Sequence, residues 1–171
     1  MSTAQVLGAL PAFKGCATSD LEAFVRLAPP VRFSPRSVLL EQGAAAKGAF
    51  LVLSGHCRAE VQAGDRHLVV GRINPGEVVG ELGLFTDGVQ RSATVVAEDE
   101  VQALLLTPAL FDQPRVAPVV AIVERRALAT LADRVRKNTG HVRRCDVASG
   151  DEASSTWLAT VRTSLRKLVG G

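Results

Sequence analysis

The chain has 171 residues, with 20 Lys and Arg against 17 Asp and Glu and a net charge of +3. Apolar residues make up 47% and charged residues 22%, the balance of a folded chain large enough for one well-buried domain plus an appendage. No run reaches the roughly 18 apolar residues of a membrane span, and the N-terminal stretch MSTAQVLGALPAFKG lacks the basic segment and sustained apolar core of a signal peptide. Cys16, Cys57 and Cys145 are odd in number, far apart and outside any C-x-x-C pattern. The expectation is a cytoplasmic chain with reduced thiols and no metal site.

Charge is unevenly spread. Up to Pro118 there are 10 basic residues against 12 acidic, and from Val119 onward 10 against 5. The N-terminal part reads as a short helix over 3–12 ending at Pro11, then a second helix that Pro29 and Pro30 must close. Ser19-Asp20-Leu21-Glu22 has the form of a capping box for that second helix, with Ser19 as N-cap and Glu22 reaching back.

From Val31 the apolar period becomes two. Val31 and Phe33, Val38 and Leu40, then Phe50, Val52 and Leu53 form short strands divided by Pro35, Gly43 and Gly48. Cys57–Val61 and His67–Ile73 flank a hairpin turn at Ala63-Gly64-Asp65, and Arg91–Leu106 supplies two strands broken near Asp99. About eight short strands with a turn roughly every 8 to 12 residues predict a mainly β fold: an antiparallel barrel or jelly roll with flanking helices. Rolling the sheet up removes exposed edges and leaves an interior able to take a small ligand.

After Pro108 the period is helical again. Residues 119–144 make a helix of about seven turns, with Gly140 as its weak point. Leu128, Leu131, Val135 and Val142 line one stripe, suited to packing on the barrel or on a second copy in a homodimer. Residues 146–155 are a polar linker, and 156–171 a short amphipathic helix carrying Trp157. The expected domains are therefore 1–145, with helices in 3–28, strands in 30–107 and helices in 108–145, followed by the linker and the last helix.

Chemistry concentrates in Gly76–Ala97, GEVVGELGLFTDGVQRSATVVA. Glu81 offers a carboxylate that accepts hydrogen bonds from sugar hydroxyls, and Arg91 a rigid donor fork that suits a phosphate. Gly80 and its neighbours can supply backbone N–H groups, so one loop would suit ribose and phosphate together.

This stretch resembles the phosphate-binding cassette of the cyclic nucleotide-binding domain family, which includes the bacterial catabolite activator protein, the regulatory subunit of cAMP-dependent protein kinase and cyclic-nucleotide-gated channels. The matching text is Gly80-Glu81-Leu82-Gly83-Leu84-Phe85, Gly88 and Arg91-Ser92-Ala93-Thr94-Val95, extended back through Leu39–Gly43 and Phe50–Gly55. The resemblance covers roughly residues 8 to 140. It implies an eight-stranded antiparallel β-roll (a double-stranded β-helix) with N-terminal helices and a long C-terminal helix. It further implies that Arg91 and Ser92 hold the cyclic phosphate, together with backbone N–H groups near Gly80, Leu82 and Ala93. Glu81 would accept the ribose 2′-hydroxyl. Val70, Gly71 and Ile73 occupy positions that touch the base, and Asn138 and Thr139 lie where the long helix lids it. The implied ligand is cAMP, with cGMP as the alternative, and the implied role is a non-catalytic, allosteric sensor for an unknown downstream protein. The chain departs from the pattern at Ala44, where relatives carry Asp or Glu. It also departs after the long helix, where 146–171 are too few for the helix-turn-helix DNA reader of activator-type relatives.

Other readings are less well supported. His56, His67 and His141 lack the pairing of cupin-type metal ligands. Nothing marks a nucleophile and its base as partners, so no catalytic residue is assigned. The basic second half carries no interleaved aromatics for nucleic acid and reads as a solvated helix face. Two functional alternatives stay open: a fragment of a DNA-binding regulator, and a partner-binding scaffold whose pocket is unused.

Overall fold

Strand β3 (Ala49–Ser54, AFLVLS) is apolar at almost every position because both of its faces are covered. Ala49, Leu51 and Leu53 face one hydrophobic core, while Val52 and the half-buried Phe50 face a second. The period-two geometry of a strand divides the side chains between the two cores. The computed structural model describes residues 1–145, with side chains to 132 apart from that of Ala63. The expected linker 146–155, the helix 156–171 and Trp157 lie outside the described residues. The chain divides into two compact units, Met1–Thr130 and Leu131–Gly171; the first contains every contact described below.

Eight strands form two antiparallel sheets of four, in the orders β1-β8-β3-β6 and β2-β7-β4-β5. The strands are β1 (Pro30–Phe33), β2 (Val38–Leu40), β3, β4 (Cys57–Ala63), β5 (Arg66–Ile73), β6 (Val78–Val79), β7 (Thr94–Ala97) and β8 (Val101–Leu106). This is the expected β-roll. The inner core lies between the sheets and includes Leu39, Leu40, Val52, Cys57, Ile73, Val79, Val95 and Val101. Burial, reinforced by the carboxylates of Asp99 and Glu98, pushes the Cys57 thiol up to about 11.

Helices α1 (Thr3–Ala9), α2 (Thr18–Leu27), α4 (Pro108–Phe111) and α5 (Ala117–Cys145) accompany the roll. Their buried residues, among them Leu7, Phe24, Leu110 and Val123, join Leu51, Leu53, Val78, Leu104 and Leu106 in the other core. Val119, Val120, Val123 and Ala127 are the buried stripe of α5. Of the stripe expected from Leu128 onward, Leu128 is 54% exposed and Leu131 half-buried, while the side chains of Val135 and Val142 lie outside the described residues. Replacing a fully buried leucine such as Leu104 by alanine would cost about 2–5 kcal/mol.

The capping box is in α1, not α2. Gln5 N–H donates to Ser2 Oγ (3.2 Å) and Ser2 N–H to Gln5 Oε1 (2.7 Å). Helix α2 begins earlier than the Ser19 reading requires, with Ala17 as its N-cap. Ser19 is already helical, and its hydroxyl lies 3.5 Å from Asp20 Oδ1 instead of capping Glu22.

The β4–β5 hairpin closes as expected through Gly64 and Asp65, with Ala63 paired to Arg66. It is tied to the segment after β2 by one side chain. Gln62 N–H donates to Gln42 Oε1 (2.8 Å), and Gln42 Nε2 donates back to the Gln62 carbonyl (3.2 Å), so the Gln42 amide behaves as one more link of a β ladder. No helix among the described residues is long and apolar enough to cross a membrane.

Candidate functional site

Between β6 and β7 the chain makes the short helix α3 (Leu82–Phe85), then a loop that returns at Gln90. Gly83 and Leu84 N–H groups donate back to the carbonyls of Gly80 (3.1 Å) and Glu81 (2.9 Å), which winds the segment into a single turn. The returning arm pairs with 43–46 rather than with its own outgoing arm. Gly43 N–H donates to the Arg91 carbonyl and Arg91 N–H to that of Ala44, each at 2.9 Å, and Ala45 bridges Gln90.

That pairing aims Arg91 inward. Its Nη1 donates to the Gly80 carbonyl at 2.8 Å and its Nη2 to the Gly48 carbonyl at 2.6 Å. The half-buried guanidinium therefore ties together both arms of the cassette and the start of β3. Burial draws its pKa below the ordinary value, and the carboxylate of Glu81 opposes that shift. Glu81 is 1% exposed, the one buried charged side chain among those described. Burying a carboxylate beside a guanidinium is costly unless each stabilises the other, so the pair marks this spot as built for polar chemistry.

Gly80 allows the close approach. Its φ of +82° lies in the left-handed region, and a Cβ there would sit 2.6 Å from Arg91 Nη1 and 2.8 Å from Leu40 Cδ1. Any side chain there would have to displace Arg91 Nη1 or Leu40 Cδ1.

Of the expected site residues, the structure brings Gly80, Glu81 and Arg91 together, with Leu82 opening α3 next to them. Ser92 and Ala93 follow Arg91 into β7; both are half-buried, and Ala93 packs on the inner core. The base-contacting trio does not converge. Val70 is 54% exposed at a β-bulge, where Ala59 pairs with Gly71 and Glu60 with Val69, so Val70 has no partner in register. Gly71 is exposed, whereas Ile73 is 4% exposed within the inner core. Asn138 and Thr139 fall on α5 in the part whose side chains lie outside the described residues.

Three contacts escaped the sequence reading. Gly48 enters only through its carbonyl, which no residue type advertises. Phe111 stacks edge-on against Phe85 of α3, centroids 5.8 Å apart at 71°, linking the cassette to α4. Arg126 of α5 donates from Nε to the carbonyl of Gly76 at 3.1 Å. A cavity of about 590 Å³ bordered by Lys47, Gly83 and Asp87–Gln90 opens beside the cassette, and one of about 480 Å³ lies near Glu41, Glu60, Gln62 and His67; neither is lined by Glu81 or Arg91. Among the described residues no group of three or more His, Cys, Asp or Glu is placed to hold a metal ion.

A family model described as the cyclic nucleotide-binding domain matches residues 30–114, from the start of β1 to just past α4. Residues 30–114 belong to the cyclic nucleotide-binding domain family. Among relatives of this domain, the acetyltransferase Pat of Mycolicibacterium smegmatis is 33% identical over 117 residues, covering 63% of this chain and 35% of the relative. The structure of a cAMP-binding acyltransferase from Mycobacterium smegmatis superposes with a TM-score of 0.57 at 31% identity, over 68% of this chain and 39% of that one. The catabolite activator protein of Thermus thermophilus superposes with a TM-score of 0.64 over 80% of this chain and 63% of its own, and at 23% identity the likeness is one of fold. The chain thus spans only about a third of the acetyltransferase's length.

Proposed function

We propose that this chain is a non-catalytic sensor of a cyclic nucleotide, cAMP first and cGMP second, working in the cytoplasm. The observation that carries the reading is the meeting of the buried Glu81 carboxylate with the Arg91 guanidinium at Gly80. In this proposal Arg91 and Ser92 hold the phosphate with backbone N–H groups near Gly80, Leu82 and Ala93, and Glu81 accepts the ribose hydroxyl. The likeness to a cAMP-binding acyltransferase supports the choice of nucleotide.

The signal would travel by population shift: the nucleotide favours one arrangement of α3, Phe85 carries it to Phe111, and the core shared with Val119, Val120 and Val123 passes it to α5. Helix α5 would report to a second copy or to an effector, beginning at the exposed Leu128. A second reading makes the domain the regulatory part of a DNA-binding regulator or another longer protein; that it spans 35% of the acetyltransferase and 63% of the catabolite activator protein favours keeping that reading.

Calorimetric titration with cAMP, cGMP and 5′-AMP tests the proposal. Saturable binding of a cyclic nucleotide, with 5′-AMP at least tenfold weaker, is expected (about 1.4 kcal/mol). Absence of binding by either cyclic nucleotide would turn the assignment toward a scaffold with an unused pocket.

A further inference from the structure

The turn that feeds the cassette is held from two sides. Gly76 N–H donates to the Val52 carbonyl (2.8 Å) and Val52 N–H to that of Glu77 (3.0 Å), which fastens the turn to β3. Within the turn, Asn74 N–H donates to Glu77 Oε2 (2.9 Å) and Glu77 N–H to the Asn74 carbonyl (3.1 Å). From the other side comes Arg126, whose Nε donates to the Gly76 carbonyl at 3.1 Å. Its guanidinium also lies over the Cα of Gly76, where Nη2 would be 3.5 Å from a Cβ.

Little chain separates this turn from the Glu81 carboxylate. After Glu77 come only Val78 and Val79 of β6, then Gly80 and Glu81. Both valines are buried, Val78 in the helix-side core and Val79 in the inner one. A two-residue strand gripped by two cores has little give, so a shift of the Gly76 carbonyl must reappear at Glu81. Arg126 itself is fixed by its neighbours Val123 and Ala127, both fully buried on α5.

We propose that Arg126 is a positioning residue of the nucleotide site: through the Gly76 carbonyl it sets the height of β6, and with it the placement of the Glu81 carboxylate against the ribose. The inference rests on the cyclic nucleotide reading and adds to it a second arginine, which touches no ligand atom. It also gives α5 a direct polar hold on the ribose half of the site, separate from the aromatic contact at α3. Arg91 and Arg126 then divide the work, one on the phosphate side and one behind the ribose side.

The test compares cAMP with 2′-deoxy-cAMP on the full chain by calorimetry, for the wild type, Arg126→Ala and Arg126→Met. The methionine variant keeps the aliphatic stem should the alanine variant fold poorly. Both variants are expected to lose about tenfold in cAMP affinity, the size of one hydrogen bond's effect, and to change 2′-deoxy-cAMP affinity by less than about twofold. Amide exchange of Glu77–Glu81 in the nucleotide-free protein is expected to accelerate in both. Equal losses for the two nucleotides, or no loss for either, would overturn the positioning role while leaving the sensor reading intact. A wild-type protein that binds neither nucleotide would remove both together.

Discussion

Arg91 Nη1 and the carbonyl of Gly80 are 2.8 Å apart, and a Cβ at Gly80 would lie 2.6 Å from that nitrogen and push it aside. Gly80→Ala should therefore do more than strain the backbone. Gly88→Ala is the control: its φ of +71° imposes a similar strain, but nothing lies within 4 Å of a Cβ there. Left-handed strain alone costs about 1–2 kcal/mol. Urea unfolding should show that cost at Gly88, and a larger one at Gly80 accompanied by loss of cyclic nucleotide binding. Equal behaviour of the two variants would mean that the Arg91–Gly80 contact is incidental.

Arg91→Lys is expected to be nearly as damaging as Arg91→Ala. A guanidinium reaches the carbonyls of Gly80 and Gly48 together from one planar fork, while an ammonium is a point donor on a flexible stem. A charge-assisted contact to a phosphate contributes about 1.5–3 kcal/mol, so cAMP affinity should fall about 10- to 150-fold. Titration of both variants decides the matter. Retention of wild-type affinity by Arg91→Ala would refute the assignment of the phosphate site.

Phe85 and Phe111 offer a test of how the cassette speaks to the helices. A double-mutant cycle with Phe85→Leu and Phe111→Leu should return a coupling energy of about 0.5–1.5 kcal/mol in unfolding, as edge-to-face pairs do. Neither substitution removes a group proposed to touch ligand, so both variants should still bind cyclic nucleotide. What should weaken is the change that binding produces in amide exchange along 117–127. A response unaltered by breaking the pair would place the route elsewhere.

The acid side of the stability curve should depend on Asp99. Its carboxylate accepts from the His56 ring Nδ1 (2.9 Å) and the His56 backbone N–H (2.7 Å), and these bonds hold its pKa below the ordinary carboxylate value. A depressed folded-state pKa means that the contribution is complete above the unfolded-state value of about 4 and is lost as pH falls through the folded one. The melting temperature of the wild type should exceed that of Asp99→Ala at neutral pH, and the gap should narrow once the pH drops below about 4. A gap independent of pH would assign the effect to packing.

Much of this architecture was legible in the residues. Period-two apolar runs divided by glycine and proline marked the strands, and residue type and spacing singled out Glu81 and Arg91, which the fold brings to Gly80. What the residues alone left open has physical causes. Ser19 has the composition of a capping box, but a helix starts where the whole segment packs, and α2 began earlier. The stripe from Leu128 has helical spacing, yet Val119, Val120, Val123 and Ala127 have it as well, and periodicity alone does not say which stripe meets the core. Val70 and Ile73 looked alike as small apolar strand residues until the bulge opposite Ala59 and Glu60 separated their environments. The partners of Arg91 and Arg126 are backbone carbonyls at Gly48, Gly76 and Gly80, and carbonyls leave no trace in a sequence.

The two cores have a consequence for how such a domain can be reused. Among the described residues the inner one draws only on the roll, from Leu39 to Ala103, whereas the helices contribute to the outer one alone. A roll that is sealed without its helices tolerates exchange of those helices, since new ones need match only the outward residues of β3, β6 and β8. Interchangeable attachments of that kind would let one nucleotide reader be fitted to outputs as different as an acyltransferase and a gene regulator, with the reading end kept unaltered.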